Sequence, residues 1–144
     1  MRKAALLVLL PALFLAGAAS AATTSTIVTH EEDKYFFQNG RMERFEGQYE
    51  NTYFYDPEKS VLVRTRIYDY RTKKITPDDT HYQIQRQLNS DPVNAARYSL
   101  PSVLRAVGQP DPDTMEILVI RDDAVQTTVS HPGRIVVTNC RRLR

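Results

Sequence analysis

The chain has 144 residues, of which 42% are hydrophobic and 25% charged, with one Cys and no Trp. This is the composition of one ordinary globular domain. A single Cys excludes a disulfide-stapled fold and a multi-Cys metal site, and no Gly-rich phosphate-binding loop is present.

The first 21 residues have the three parts of a secretory signal peptide. Residues 1–3 are basic, residues 4–15 are largely apolar, and Ala19-Ser20-Ala21 fits the small-x-small cleavage rule. The apolar run is shorter than the roughly 20 residues that a membrane-spanning helix needs. We therefore predict cleavage after Ala21 and export to the periplasm or the extracellular space, with a retained membrane anchor as the alternative. Residues 22–144 then form a single β-rich domain.

Loss of this segment also changes the charge balance. The 19 basic residues fall to 17, which equals the 17 acidic residues. A neutral domain gives no electrostatic reason to expect nucleic-acid binding, and no other segment is apolar enough to cross a membrane as a helix.

Strand patterns begin soon after the predicted cleavage site. The β-branched residues of 26–29 predict a strand, the charged residues of 30–33 predict a break, and Asn39-Gly40 predicts a type I′ hairpin turn. Residues 41–56 alternate with a period of two, which predicts one long half-buried strand. Its aromatic face contains Phe45, Tyr49, Tyr53 and Tyr55.

The pattern continues through two further predicted turns. Residues 56–60 predict a turn, residues 60–75 a strand with Arg64 and Arg66 on one face, and residues 76–79 a second turn. Residues 81–88 alternate cleanly and predict a one-sided strand.

The middle of the chain differs from both ends. Two helix-start patterns, Ser90-Asp91-Pro92 and Ser99-Leu100-Pro101, predict one or two short helices across 91–107. Residues 115–120 are almost entirely apolar and predict a strand that is buried on both faces. Short turns then connect two more strands in an antiparallel meander. Cys140 is expected to be a small buried residue of the last strand, with a free reactive thiol or an intermolecular disulfide as the alternatives.

Together these elements predict an all-β fold. Seven to eight strands with one short helical segment indicate a small antiparallel barrel or a strongly curved sheet. The alternative is an α+β fold, with the helix packed on an open antiparallel sheet. The strand pattern resembles small secreted lipocalin-like barrels, but the absence of Trp removes their Gly-x-Trp feature, so the sequence is assigned to no family.

Residues that bind metals or perform catalysis form no recognisable motif. His30, His81 and His131 lie beside predicted turns without the spacing of a metal site. Asp111, Asp113 and Glu116 lack the length and central Gly of an EF-hand loop and are expected to be solvated. The sequence therefore predicts no catalytic residue, no metal ligand and no cofactor.

The aromatic stripe is the strongest functional feature of the sequence. Tyr49 and Tyr53 share one strand face, and Arg66 and Tyr68 are close together on the next strand. If the two strands pair through the turn at Pro57, both pairs of residues can lie on one side and bind a ligand, the arginine holding an anion. The alternative is a structural aromatic ladder.

Three functions are consistent with these features. The first is a secreted or periplasmic non-enzymatic binding domain that holds an apolar or amphipathic small molecule. The second is a cell-envelope protein–protein interaction module that uses a sheet edge or the Tyr-rich face. The third is a hydrolase with an unrecognised site.

Overall fold

The computed structural model describes residues 24–85 and 103–144. These residues form nine strands, and no helix lies among them. The predicted signal peptide and residues 86–102 lie outside the described ranges. The strands are β1 (Ser25–Gln38), β2 (Arg41–Glu46), β3 (Tyr49–Asp56), β4 (Val61–Asp69), β5 (Lys74–Gln85), β6 (Leu104–Gly108), β7 (Met115–Ile120), β8 (Ala124–His131) and β9 (Arg134–Arg142).

Eight of these strands close into an antiparallel barrel. The order is β1-β3-β4-β5-β6-β7-β8-β9, and β9 pairs back onto β1. Strand β2 is the ninth strand and pairs with the far half of β1, beyond the part of β1 that pairs with β3. The predicted all-β antiparallel barrel is confirmed, and closure removes the sheet edges that an open sheet would expose.

The long β1–β2 hairpin confirms one predicted turn and corrects one predicted break. Asn39 and Gly40 both have positive φ, 52° and 72°, as a type I′ turn requires. The charged residues 30–33 do not interrupt β1. Instead the pairing with β9 shifts between Glu31 and Asp33, so one extra residue is absorbed as a bulge.

The predicted long strand over 41–56 is divided at residues 47–48. Gly47 donates its N–H to the Glu32 carbonyl at 2.8 Å. A Cβ on Gly47 would lie 2.1 Å from the Glu31 carbonyl oxygen, so only glycine permits this close approach. The irregularity in β1 and the break between β2 and β3 therefore face each other.

The predicted strand over 60–75 is confirmed over 61–69, but its continuation to residue 75 and the predicted turn over 76–79 are wrong. Strand β4 ends at Asp69, and β5 begins at Lys74 and runs through Pro77. The Asp69 carboxylate accepts the N–H groups of Arg71 and Thr72 at 2.8 and 3.2 Å, which fixes the turn there. Pro77 is accommodated because the β4–β5 register shifts beside it, between Arg64 and Arg66.

Two further predictions require correction. The predicted helix cannot extend to residue 107, because residues 104–108 form β6 between β5 and β7; residues 91–102 lie outside the described part of the chain. Strand β7 is not buried on both faces, since Met115 is 51% exposed while Leu118 is fully buried. A barrel strand has an outer face, and here that face meets solvent.

The apolar core fills one half of the barrel interior. Its central side chains come from all parts of the chain: Ile27, Tyr53, Leu62, Tyr82, Ala106, Leu118, Ile120, Val125 and Cys140. Burial of Cys140 in the last strand confirms the expectation for that residue. Within the described ranges, no helix is long and apolar enough to span a membrane.

Candidate ligand-binding site

A pocket of about 740 Å³ lies where the β1–β2 hairpin extends past the barrel. We call it the mouth pocket. Phe36 of β1 and Phe45 of β2 form part of its wall, with ring centroids 5.0 Å apart and an interplanar angle of 81°. Edge-to-face contact of this kind is favourable for aromatic rings. The other lining residues are mostly polar or charged, and include Lys34, Gln38, Arg41, Glu43, Glu46, Gln48, Tyr49 and Arg71.

The bulge in β1 brings Lys34 and Phe36 onto the inner face. Glu31 pairs with Cys140, and after the shift Lys34 pairs with Thr138 and Phe36 with Val136. Thr138, Val136 and Cys140 are buried inside the barrel, and directly opposed residues point to the same side of a sheet. Without the bulge, Lys34 and Phe36 would point outward and the mouth pocket would lose its aromatic pair.

A buried ion pair closes the inner end of the mouth pocket. The Lys34 ammonium lies 3.0 Å from the Glu31 carboxylate, and the side chains are 17% and 8% exposed. The same ammonium lies 4.9 Å from the centroid of the Tyr49 ring, within the range of a cation–π contact. Glu31 also accepts the backbone N–H of Gln48 at 3.3 Å.

A second charged cluster lies inside the barrel next to the apolar core. Arg64 donates to Asp78 at 2.8 Å and to both carboxylate oxygens of Glu116, at 3.1 and 3.2 Å. The Arg64 and Glu116 side chains are only 12% and 4% exposed. Thr80 donates its hydroxyl hydrogen to Asp78 at 2.7 Å. We call Arg64, Asp78, Thr80 and Glu116 the interior cluster.

The two acids of the interior cluster have opposite pKa shifts. Burial raises the pKa of Glu116 above its usual value, although Arg64 opposes that effect. Burial acts in the same direction on Asp78, but the hydrogen bonds from Thr80 and Arg64 outweigh it and lower the pKa of Asp78. At neutral pH the cluster therefore contains an ionised Asp78 bound to an arginine, which is the arrangement of a structural ion pair.

Two tyrosine hydroxyls are buried beside Arg64 and Glu116 of the interior cluster, without a well-aligned hydrogen bond among the described residues. They belong to Tyr53 and Tyr82, whose ring centroids are 6.0 Å apart. Burial raises the pKa of both phenols above the usual value. Unsatisfied buried hydroxyls are rare and destabilising.

The four predicted ligand-binding residues lie on two different faces. Tyr49 and Tyr53 are on the inner face as expected, Tyr49 at the mouth pocket and Tyr53 fully buried in the core. Arg66 and Tyr68 pair with Thr52 and Glu50 on the outer face. The expectation that both pairs share one side is therefore wrong.

The reason is a second bulge, in β4. Tyr53 pairs with Arg64 and Thr52 pairs with Arg66, so Thr65 is an extra residue that reverses the alternation. Arg64 consequently points inward and Arg66 outward, which corrects the expectation that the two arginines share a face. Outside the barrel, Tyr68 makes a T-shaped contact with Tyr70 at 5.2 Å, and Tyr70 donates its hydroxyl hydrogen to Glu50 at 2.7 Å.

The residues that sequence analysis missed have a common cause. Lys34 and Phe36 follow the bulge in β1, where residues 30–33 predicted a break and no face was assigned. In β4 the bulge at Thr65 separates Arg64 from Arg66, which alternation places on one face. Glu116 was grouped with Asp111 and Asp113, yet those two are exposed and Glu116 is buried. Its place among Ile and Leu residues was the available signal, because a charge within an apolar strand needs a buried partner.

The histidines do not converge in the structure. His81 lies 3.0 Å from Asp79, with both side chains strongly exposed, and His30 packs edge-on against Tyr70 with ring centroids 4.8 Å apart. Among residues 24–85 and 103–144, no group of three or more His, Cys, Asp or Glu side chains is placed to hold a metal ion.

Comparison of the chain with protein families, with characterised proteins and with solved structures found no match. The functional argument therefore depends on the geometry of the mouth pocket, the interior cluster and the surface.

Proposed function

We propose that the protein is an exported, non-enzymatic binding domain that holds an amphipathic small molecule in the mouth pocket. The observation that carries this proposal is the pairing of an aromatic wall, Phe36 and Phe45, with charged side chains in one pocket of about 740 Å³. The volume is in the range of small-molecule sites, and the two aromatic rings give an apolar group a surface to pack on within an otherwise polar lining. Phe45 is also 48% exposed, and a bound apolar group would cover it.

The rest of the barrel interior favours the same location. The apolar half is filled by its own side chains, and the interior cluster is occupied by internal ion pairs. Among the described residues, the mouth pocket is therefore where open space adjoins both aromatic and charged side chains.

The experiment is a titration with 1-N-phenylnaphthylamine, a neutral apolar dye whose fluorescence rises in apolar surroundings. We expect saturable binding to the wild type and roughly tenfold weaker binding to Phe45→Ala, because a large apolar contact is lost. Phe54→Ala is the matched control, since Phe54 is 39% exposed but on the outer face of the adjoining strand. Equal affinity of the two variants, or no saturable binding to the wild type, contradicts the proposal.

Export is tested separately by mass spectrometry of protein recovered from the host's envelope or medium. A mature chain that begins at Ala22 is the expected result, because the small residues at 19 and 21 define the cleavage site. Recovery of correctly localised protein that retains Met1 contradicts it.

A second candidate function, protein–protein interaction, is favoured by the outer side of the same hairpin. Strand β2 pairs only with β1, and all six of its residues are exposed. Met42, Phe37 and Ile135 form one cross-strand row there, with exposed fractions of 59%, 41% and 44%. A free edge beside an apolar row is suited to strand addition by a partner protein. Partner capture that is lost in Arg44→Pro, while dye binding persists, supports this alternative.

A further inference from the structure

The rim of the barrel mouth has a cross-strand row of hydrogen-bond donors. Arg41 pairs with Gln38, Gln38 with Arg134, and Arg134 with His131, across β2, β1, β9 and β8. Directly opposed residues project to the same side of a sheet. These four side chains, which we call the rim row, line a pocket of about 610 Å³ between the two hairpin tips, together with the outer-side residues Phe37, Met42 and Ile135. Gln38 and Arg41 also line the mouth pocket, so the two pockets adjoin.

Among the described residues, the two arginines of the rim row are not neutralised by ion pairs, although an acid, Glu43, lies on the same face two residues from Arg41. Within residues 24–85 and 103–144, neither Arg41 nor Arg134 takes part in an ion pair. The guanidinium carbon of Arg134 lies 5.6 Å from the centroid of the Phe36 ring, and its Nε is buried without a hydrogen-bond partner in the described part of the chain. Arg134 is only partly buried, so the terminal nitrogens of its guanidinium are the groups that can donate to an anion in the pocket.

The next row inward has a different chemistry. Phe36, Val136 and Val129 follow the rim row on the same face, with Glu43 at the β2 end. Apolar side chains therefore lie between the cationic rim and the interior. Two arginines that are two strand spacings apart, roughly 10 Å between their Cα atoms, can hold one anionic group from both sides.

We propose that the rim row binds the anionic head group of the amphipathic ligand, a carboxylate or a phosphate, while its apolar part lies on Phe36 and Phe45. This inference rests on the proposed function and adds the charge and orientation of the ligand. Arginine pairs carboxylate and phosphate oxygens through two parallel hydrogen bonds, and Gln38 and His131 supply further polar contacts.

The experiment compares two amphiphiles with the same tail, dodecyl phosphate and neutral dodecyl maltoside, by titration calorimetry below their micelle concentrations. We expect Arg41→Ala/Arg134→Ala to weaken dodecyl phosphate binding by roughly a hundredfold, about tenfold for each charge-assisted contact. Its affinity for dodecyl maltoside should change by less than about twofold. Arg41→Lys/Arg134→Lys should retain part of the phosphate affinity, since charge remains without the paired donors.

Two controls separate the rim row from general charge effects. Arg44→Ala/Arg121→Ala removes the same charge from exposed positions outside the pocket and should bind dodecyl phosphate like the wild type. Thermal unfolding of each variant checks that the barrel remains folded at the temperature of the titration.

The outcomes are distinguishable. If dodecyl maltoside binds the wild type and dodecyl phosphate binds it and Arg41→Ala/Arg134→Ala equally, the rim-row inference is overturned and the proposed function stands. If neither amphiphile nor the neutral dye binds the wild type, both fail. Inorganic phosphate that binds as tightly as dodecyl phosphate identifies a free-anion site and overturns the amphiphile assignment. Binding only to vesicles of anionic phospholipid, with no binding of monomeric dodecyl phosphate, also overturns it.

Discussion

The two halves of the barrel interior are built on different principles. In the apolar half, side chains such as Leu62, Ala106 and Leu118 have almost no exposed surface and pack against one another. In the half that leads to the mouth, two ion-paired groups replace them, Lys34 with Glu31 and Arg64 with its two acids. Hydrophobic burial is favourable without directional partners, whereas each buried charge needs a specific partner. The first half therefore supplies stability, and the second supplies defined polar geometry beside an open pocket.

The sharpest test of this comparison is the pair Arg64→Ala and Arg66→Ala. Removal of Arg64 leaves Glu116 and Asp78 without their cation, so we expect a loss of about 3–5 kcal/mol in the free energy of unfolding. Arg66 is exposed on the other side of the Thr65 bulge, and its removal should change that free energy by no more than about 0.5 kcal/mol. Urea unfolding measures both. Similar losses of stability in the two variants would contradict the assignment of Arg64 to the inner face and Arg66 to the outer face.

Leu118→Ala and Phe45→Ala compare the two halves directly. Leu118 has no exposed surface, so its truncation creates a cavity and should lower the free energy of unfolding by about 2–5 kcal/mol. Phe45 is 48% exposed at the mouth pocket, and we expect its truncation to lower that free energy by less than about 1 kcal/mol. A large stability loss in Phe45→Ala would make Phe45 a core residue and weaken the binding proposal.

The sequence predicted the apolar half of the barrel better than the polar half, for a physical reason. Alternation with a period of two identified most strands, and Asn39-Gly40 identified the hairpin turn, because both depend on local chemistry. The bulges at Glu32 and Thr65 have no local signature, and one extra residue moves every following side chain to the other face. The first bulge turns Lys34 and Phe36 inward, and the second separates Arg64 from Arg66, so both bulges shape the polar half.

The predicted turn at 76–79 shows a second limit. Thr76-Pro77-Asp78-Asp79 has turn-forming residues, but the neighbouring β4 strand holds it extended, with Asp78 drawn inward to Arg64. Tertiary ion pairing overrode local propensity. The candidate binding residues were affected by the bulge alone: because Thr65 is an extra residue in β4, Tyr49 and Tyr53 lie inside the barrel while Arg66 and Tyr68 lie outside.

The geometry of the polar half depends on the close backbone contact between Gly47 and Glu31. In Gly47→Ala the new Cβ meets the Glu31 carbonyl oxygen, and backbone must shift to admit it. We expect a loss of about 1–3 kcal/mol in the free energy of unfolding and weaker dye binding, since Glu31 positions Lys34 at the pocket. Gly133→Asn is the control, because the Cβ at Gly133 meets open space and Asn tolerates positive φ. Unchanged stability in Gly47→Ala would contradict the close approach.

The smallest expected effect concerns the boundary between the halves, where the Tyr53 and Tyr82 hydroxyls lack partners among the described residues. Tyr53→Phe and Tyr82→Phe each remove a desolvated hydroxyl that has no well-aligned hydrogen bond among the described residues, although Arg64 and Glu116 lie close by. At pH 7 we therefore expect unchanged stability, or a gain of up to about 1 kcal/mol. Tyr70→Phe is the contrast, because it loses the hydrogen bond to Glu50 at the surface.

The stability of Tyr53→Phe and Tyr82→Phe at alkaline pH is a second test of the same two hydroxyls. The folded-state pKa of each phenol is raised above its usual value, so the stability linked to each is fully present below about pH 10 and is lost as pH rises further. Urea unfolding at pH 7, 9 and 11 should show a smaller alkaline loss in Tyr53→Phe and Tyr82→Phe than in the wild type. A loss of more than about 1 kcal/mol at pH 7 in either variant would mean that its hydroxyl has a bound partner, such as an internal water. The polar half would then extend one layer deeper into the barrel.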